Sequence, residues 1–485
     1  MIPIGTARPQ GAFADWLEQL RGNQQQYLLD HSVTPFIMRT YSDLVRDIEA
    51  AAEQWMQAGI GPGHAVILSL PSGLQLLTQL FAVLRTGATP LPLTPQIAPE
   101  SLDHLIELAN PAAVVVASPR PDSLLEREGI VHPHKAFGLK GRARLYIRPA
   151  APCREQLHHC LMLSTSGSTG MPKIVVHRVE NVFVNAAAHM KAIEEQPGGN
   201  YTATLPVFYS YGLVAGIIGS LLMEKNIYFP EQPFYPGEWL KSCEHNDITL
   251  ASVTPSLLKR IVAMNKPFPR TLRKLTIGGD HADDGDIRKL RELYSGDIYL
   301  TYGLSEAGPR VLTNKLSRDE RGWSLMGEPL SGVEIRVDGK CQEQGGQVGE
   351  LLVKTATRML GYWEDGRFQQ GDFEGEWLRT GDIVSLDNGG LQFMERRKNM
   401  LITGGEKLYP GIIRKVLLAH PGVVEAKVSG VVDEKQGFVP EAVIQLQEET
   451  AATIEELESW CKKRLRLAEV PRSFRIVPYL ESTKK

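Results

Sequence analysis

The sequence predicts an α/β protein: a large N-terminal domain of layered αβ sheets with a small antiparallel barrel-like region, followed by a small α+β C-terminal domain. Three observations predict it. The chain has 485 residues, more than one ordinary hydrophobic core organises. Helical and strand periodicities alternate through its first part. From Met326 the pattern changes to short strands separated by Gly, Asp and Asn, before helices return after Lys398.

Taken in order, a helical pattern over 41–58 leads to a strand at 65–70, a helix at 74–85 and a strand at 89–93. That order implies a parallel sheet with crossover helices. Gly87, Pro90 and Pro92 punctuate the unit as stop and turn signals. A short buried strand follows at 112–117, then helices at 182–194 and 255–264. The most apolar stretch, 213–223, spans about eleven residues against the roughly twenty that cross a bilayer, so it is expected as a buried helix and no membrane span is predicted. Strands at 334–337, 349–354, 383–386 and 391–394 form the turn-rich antiparallel region. Residues 398–485 mix helices (409–418, 454–467) with strands (424–432, 440–447), an α+β domain of roughly 85 residues. The domains are accordingly placed at 1–397 and 398–485.

Composition narrows the function. Lys plus Arg total 53 against 56 Asp plus Glu, and a net charge of −3 offers no electrostatic footprint for nucleic acid or an anionic membrane. The five cysteines, at 153, 160, 243, 341 and 461, are scattered and show no zinc-type pairs, which fits a reducing compartment. Residues 1–5 lack the basic and apolar runs of a secretory leader, so a cytoplasmic location is expected.

Residues 163–173, Leu-Ser-Thr-Ser-Gly-Ser-Thr-Gly-Met-Pro-Lys, are the most informative segment. Gly167 and Gly170 allow positive φ and close approach to a ligand, while Ser164, Thr165, Ser166, Ser168 and Thr169 offer donors and Lys173 a mobile charge. By composition the segment is also compatible with a flexible linker. Its flanks, 161–163 and 174–176, read instead as buried strands, which makes it a tight connection within a domain. The P-loop pattern fails, because Pro172 rather than glycine precedes Lys173 and Ile174 follows it.

The order T-S-G-S-T-G-x-P-K resembles the phosphate-binding signature of adenylate-forming ligases, the superfamily of acyl-CoA synthetases, peptide-synthetase adenylation domains and luciferases. Further segments extend the resemblance over nearly the whole chain: Arg39-Thr40-Tyr41, residues 87–93, and Val253-Thr254-Pro255-Ser256. Thr301-Tyr302-Gly303-Leu304-Ser305-Glu306 is similar to the family segment whose tyrosine lies against adenine, whose hydroxyl touches the α-phosphate and whose glutamate binds Mg²⁺. Gly278-Gly279-Asp280 is similar to a backbone segment passing close to adenine.

The resemblance implies ATP binding by Thr165, Ser166, Gly167, Ser168, Thr169, Gly170, Lys173, Gly278, Gly279, Asp280, Thr301, Tyr302, Gly303, Ser305, Asp382 and Arg396. Asp382, in Arg379-Thr380-Gly381-Asp382, would accept from both ribose hydroxyls, and Arg396 would reach the ribose or phosphates. Lys398 would be the hinge of a mobile C-terminal domain. Two positions depart from the family pattern: Glu395 replaces a glycine, and Arg414 stands where a glutamate is common. Lys173, Glu306 and a late lysine would be catalytic. Counting from Pro478 assigns that lysine to Lys484, whereas a register anchored on Leu480 carries it past residue 485.

Tyr209, Ser210, Gly278, Thr301 and Arg310 are the expected acid pocket. Tyr209 stands where the family has histidine. Ser210 occupies the position at which amino-acid-activating relatives carry an aspartate, so an α-ammonium would be left unpaired. An aryl or acyl acid is favoured over an amino acid. The implied reaction makes an acyl-adenylate and pyrophosphate from ATP and Mg²⁺, then transfers the acyl group to coenzyme A or to a phosphopantetheinyl carrier protein supplied in trans. The alternatives are a non-catalytic nucleotide- or acyl-binding protein of the same fold and an amino-acid-activating adenylation enzyme.

Overall fold

The computed structural model describes residues 12–117, 143–148, 152–165, 171–317, 323–341, 346–387, 389–397, 401–403, 406–408, 410–433, 437–447 and 452–480. The chain separates into two compact units: Met1–Glu334 with Val353–Leu378, and Ile335–Leu352 with Arg379–Lys485.

Among the described residues, three sheets build the first unit. The largest has nine strands in the order Glu328–Pro329, Arg310–Lys315, Asp297–Gly303, Lys274–Gly278, Leu250–Val253, Asn200–Thr202, Asn226–Phe229, Tyr27–Asp30 and Ile37–Thr40. Pairing is parallel from Asp297–Gly303 to Tyr27–Asp30 and antiparallel at both edges. A second sheet orders Thr89–Leu93, Ala65–Ser69, Ala113–Val116 and Arg144–Ile147, with its first three strands parallel. Every residue of those three is buried, which explains why they read as near-continuous apolar runs. Pro90 and Pro92 fall in an edge strand of this sheet, where residues without an N–H are tolerated. The third sheet is antiparallel: Arg367–Gln369, Gly361–Glu364, Lys173–Arg178 and Cys160–Thr165.

The helices start where their caps dictate. Tyr41–Gln57 opens on a reciprocal capping box between Thr40 and Asp43. Leu74–Arg85 is capped from a strand, since the Leu74 N–H donates to Asp30 Oδ2 at 2.8 Å, and any side chain at Gly73 would crowd that carboxylate. The helices expected at 182–194 and 255–264 are Val179–Ala192 and Pro255–Val262.

The apolar stretch is buried as expected, but the chain from Tyr211 to Ile218 winds as a π-helix before Gly219–Leu222 becomes α-helical. A side chain at 212 would collide with the Pro206 carbonyl and one at 216 with the Tyr201 hydroxyl, so both glycines are needed for the close approach. Wide turns of this kind concentrate at functional sites. Among the described residues no helix is long and apolar enough to cross a membrane.

In the second unit, the Asp382–Asp387 part of strand Trp377–Asp387 pairs antiparallel with Gly390–Arg396. Beyond them Leu401–Thr403, Gly437–Leu446 and Val423–Asp433 form a sheet flanked by Glu406–Leu408 and completed by Ser473–Val477, which runs parallel to Gly437–Leu446. Helices Pro410–Leu418 and Ile454–Lys462 supply Ile413, Leu417, Leu457 and Cys461 to a core with Ala426, Ala442 and Ile444. The second helix stops at Lys462 rather than 467, and Arg466 and Glu469 close a separate short turn beyond it. Arg414, the residue found where a glutamate is common, donates to Glu425 at 2.7 Å and to the Ala426 carbonyl at 2.8 Å, which gives it a structural place in this unit.

Candidate active site

The segment 163–173 is a hairpin connection. Cys160–Thr165 and Lys173–Arg178 pair antiparallel with Thr165 opposite Lys173, and Leu161, Met162, Leu163, Ile174, Val175 and Val176 are buried. A free linker has no such flanks. Ser166, Gly167, Ser168, Thr169 and Gly170 lie outside the described residues, while Thr165 and Lys173 mark the two mouths of the connection.

Lys173 has a partner that sequence reading missed. Its Nζ lies 4.9 Å from the ring centroid of Tyr362, within cation–π range, and the Tyr362 hydroxyl donates to Glu306 Oε1 at 2.8 Å. Tyr362 reaches both because Gly361–Glu364 pairs with Lys173–Arg178, Tyr362 standing opposite Val175. Burial, and then the charge of Glu306, raise the phenol's pKa, so it remains a donor. A single aromatic residue thereby links the hairpin lysine to the glutamate 133 positions away in a turn, Ser305–Ala307.

That turn is braced on two sides. His177 is fully buried, and its Nε2 lies 2.7 Å from the Ser305 carbonyl oxygen. Burial pushes the imidazole's pKa down to about 4, so the ring is neutral and the nitrogen facing the carbonyl carries the proton. Ser305 Oγ lies 3.1 Å from Ser210 Oγ, which joins the predicted phosphate hydroxyl to the predicted acid pocket.

Thr301, Gly278 and Arg310 meet around Tyr211. The Tyr211 hydroxyl lies 2.8 Å from Thr276 Oγ1 and 3.3 Å from Thr301 Oγ1, and Thr301 also donates to the Ile277 carbonyl at 3.1 Å. A side chain at Gly278 would collide with Thr301 Oγ1, so this strand end must be glycine. Gly279 follows at φ +93°, a conformation that favours glycine. Gly303 is required for another reason, since a side chain there would strike the Pro309 carbonyl across the β-bulge at Tyr302 and Gly303. Tyr302 is half-buried, and Asp280 and Tyr209 are exposed. Arg310 is buried with its guanidinium carbon 4.4 Å from the Tyr211 ring centroid.

The second unit brings Asp382 and Arg396 together. Arg396 Nε lies 2.7 Å from Asp382 Oδ1, and the Asp382 side chain is fully buried. Lys398 and Lys484 lie outside the described residues.

The donor set suits Mg²⁺ held mainly by ligand phosphates. Among the described residues no three His, Cys, Asp or Glu side chains converge, whereas Mg²⁺ commonly takes one or two carboxylates together with substrate phosphates, the role open to Glu306.

A model of the AMP-binding enzyme family matches residues 24–363, and one of the AMP-binding enzyme C-terminal domain matches 413–485. The chain belongs to the AMP-binding enzyme family. This AMP-binding enzyme is 27% identical over 446 residues to a 2-succinylbenzoate–CoA ligase of Bacillus licheniformis, covering 91% of each chain. Its fold is that of o-succinylbenzoate CoA synthetase from Bacillus subtilis. The complex of that protein with its acyl-adenylate intermediate gives a TM-score of 0.74 at 24% identity, over 96% of this chain and 95% of the other. The complex with ATP and a magnesium ion gives 0.74 at 24%, over 96% of each.

Proposed function

We propose that this AMP-binding enzyme is an ATP-dependent acid–thiol ligase that activates an aryl or acyl carboxylic acid and transfers it to coenzyme A, the acceptor in the name of its Bacillus licheniformis relative. The observation that carries the reading is the Lys173–Tyr362–Glu306 linkage. It sets a cation and a carboxylate on either side of one phenol, beside the Ser305–Ser210 pair, an arrangement that supports phosphate and metal binding next to an acid pocket.

In the first half-reaction a carboxylate oxygen of the acid attacks the α-phosphorus of ATP. The bond to the bridging oxygen breaks, and pyrophosphate leaves with the electron pair. Two anions must approach, so preorganised positive charge is the main requirement. Lys173 offsets charge on the phosphates, with Thr165 and the loop residues Ser166, Gly167, Ser168, Thr169 and Gly170 as donors. Glu306 would hold Mg²⁺, which when bound neutralises phosphate charge. Ser305 donates toward the α-phosphate, Tyr302 covers adenine, and the backbone at Gly278, Gly279, Asp280 and Gly303 leaves room for it. Asp382 and Arg396 take the ribose and phosphates. In the second half-reaction the thiol sulfur attacks the acyl carbon, loses its proton, and AMP departs. Lys398 is the hinge between bodies 1–397 and 398–485, and Lys484 is the closing lysine.

Ser210, with no carboxylate to pair an α-ammonium, argues against an amino acid. A cytoplasmic location belongs to the same reading, supported by free thiols at Cys153, Cys160, Cys243 and Cys461.

A panel of acids, followed by pyrophosphate and AMP release with and without coenzyme A, tests the proposal. Acid-dependent pyrophosphate release and thiol-dependent turnover are expected. ATP binding with no release for any acid would support the non-catalytic alternative. An adenylate discharged only by a phosphopantetheinyl carrier protein would reassign the acceptor. Lys484→Ala should lower adenylation by about 10²-fold or more, and unchanged release would refute the register counted from Pro478.

A further inference from the structure

Glu350 is a buried carboxylate of the second unit, and among the described residues three donors of that unit converge on it. Arg379 Nη1 reaches its Oε2 at 2.7 Å and Arg397 Nη1 reaches the same oxygen at 3.0 Å, while the Gly381 N–H donates to Oε1 at 2.9 Å. Both oxygens are engaged, and two guanidinium groups with one backbone dipole offset the burial of the charge. The role open to a carboxylate engaged in this way is to hold its partners.

Its partners lead to Asp382. Gly381 stands at φ +71°, a conformation that favours glycine, immediately before that aspartate. Thr380, on the other side of the glycine, is fixed from the same strand: its Oγ1 donates to the Leu351 carbonyl at 2.8 Å and accepts from the Asp382 N–H at 3.0 Å. Consecutive residues of strand Gln347–Thr355, Glu350 by its side chain and Leu351 by its carbonyl, thus pin residues 380–382. Arg396 pairs with Asp382 Oδ1 at 2.7 Å, and the next residue, Arg397, returns to Glu350. A closed circuit runs from Glu350 through Gly381 to Asp382, on to Arg396 and back through Arg397. Such a circuit fixes a side chain more tightly than any one of its bonds.

We infer that Glu350 is a positioning residue for nucleotide binding: by holding the Gly381 N–H and Arg397 together, it sets the Asp382 carboxylate to accept from both ribose hydroxyls. This rests on the reading above in which Asp382 takes the ribose. In this assignment Glu350 itself touches no substrate. Its contribution is read in how well the protein distinguishes a ribose with both hydroxyls from one that lacks the 2′ group.

Calorimetric binding of ATP and of 2′-deoxy-ATP to the full chain tests the assignment. Wild type should bind ATP about tenfold or more tightly, the scale of one hydrogen bond to a charged group. In Glu350→Ala a displaced Asp382 costs ATP two hydrogen bonds and 2′-deoxy-ATP one, so the ratio should fall toward unity. A general loosening of the unit would weaken both nucleotides alike and leave the ratio at the wild-type value, which would overturn the inference. Glu350→Gln keeps an acceptor for the Gly381 N–H and should retain part of the discrimination. The Arg379 and Arg397 side chains are 23% and 47% exposed, so loss of their partner returns them to water and the alanine variant is expected to fold. Where it does not fold, Glu350→Gln decides: its ratio should lie below that of wild type, and an unchanged one would overturn the inference. Equal binding of the two nucleotides by wild type would overturn the ribose role of Asp382 and this inference with it. Absence of pyrophosphate release with any acid would instead overturn the ligase reading, and the nucleotide ratios would still decide the role of Glu350.

Discussion

The two ends proposed above for the phosphates and for the acid, both in the first unit, handle charge in opposite ways. At the phosphate end Lys173 and Glu306 are half-buried and share Tyr362, the cation over its face and the carboxylate on its hydroxyl. At the acid end Arg310 is buried against Tyr211 with two nitrogens unpartnered, beside a neutral His189. On the ligase reading proposed above, the difference follows from what each ligand brings. Triphosphate and Mg²⁺ carry several charges, so the protein keeps its own wet enough to adjust. A small acid brings little charge, and a dry site in fixed position extracts more discrimination from each contact.

The largest expected effect tests the phosphate end directly. Glu306→Gln should lower kcat for pyrophosphate release by about 10²- to 10³-fold, the scale of removing one preorganised electrostatic group. Raising Mg²⁺ should recover part of the loss, and a variant with wild-type kcat and Mg²⁺ dependence would remove Glu306 from the site.

A pH effect on stability follows next. His177 titrates at about 4 in the folded protein against an ordinary value near 6.5, so the unfolded chain binds the extra proton in between. Its contribution is therefore fully present above pH 6.5 and declines as pH falls toward 4, by about 3 kcal/mol in all. His189, held at about 3, acts in the same direction. Thermal unfolding midpoints should fall over this window, and less steeply in His177→Gln than in wild type. Parallel profiles would show that burial of this imidazole does not set the slope.

Tyr362→Phe is expected to have the smallest effect and to sharpen the comparison most. It removes the hydrogen bond to Glu306 but keeps the ring beneath Lys173, so about a tenfold loss is expected, carried mainly by a higher Mg²⁺ requirement. Tyr362→Leu removes both contacts and should also raise KM for ATP. Identical kinetics in the two variants would mean that the ring face does nothing for Lys173.

Much of the fold was legible because its signals are local. The helix at 74–85 and the strand at 89–93 occupy the predicted residues, since apolar period and the Gly87 and proline breaks define them without help from distant chain. The hairpin around 163–173 was legible for the same reason, with apolar flanks bracketing glycines and hydroxyls. The π-helix was not, because its width depends on Tyr201 and Pro206 meeting Gly216 and Gly212. Tyr362 was missed for want of any local signal: nothing within a few residues of it points to Lys173 or Glu306.

The sequence by itself determined the α/β plan, the hairpin that brackets the glycine- and hydroxyl-rich segment, the Tyr302–Glu306 segment and the absence of a carboxylate at Ser210, all written in short runs whose periodicity or chemistry is self-contained. Only the tertiary structure decided that Tyr362 joins Lys173 to Glu306, that Asp382 pairs with Arg396, and that Arg310 is buried without a counter-ion. Burial and partnership belong to contacts between strands far apart in the chain, and a side chain's charge has no fixed meaning until those contacts set how much water and which neighbours it keeps.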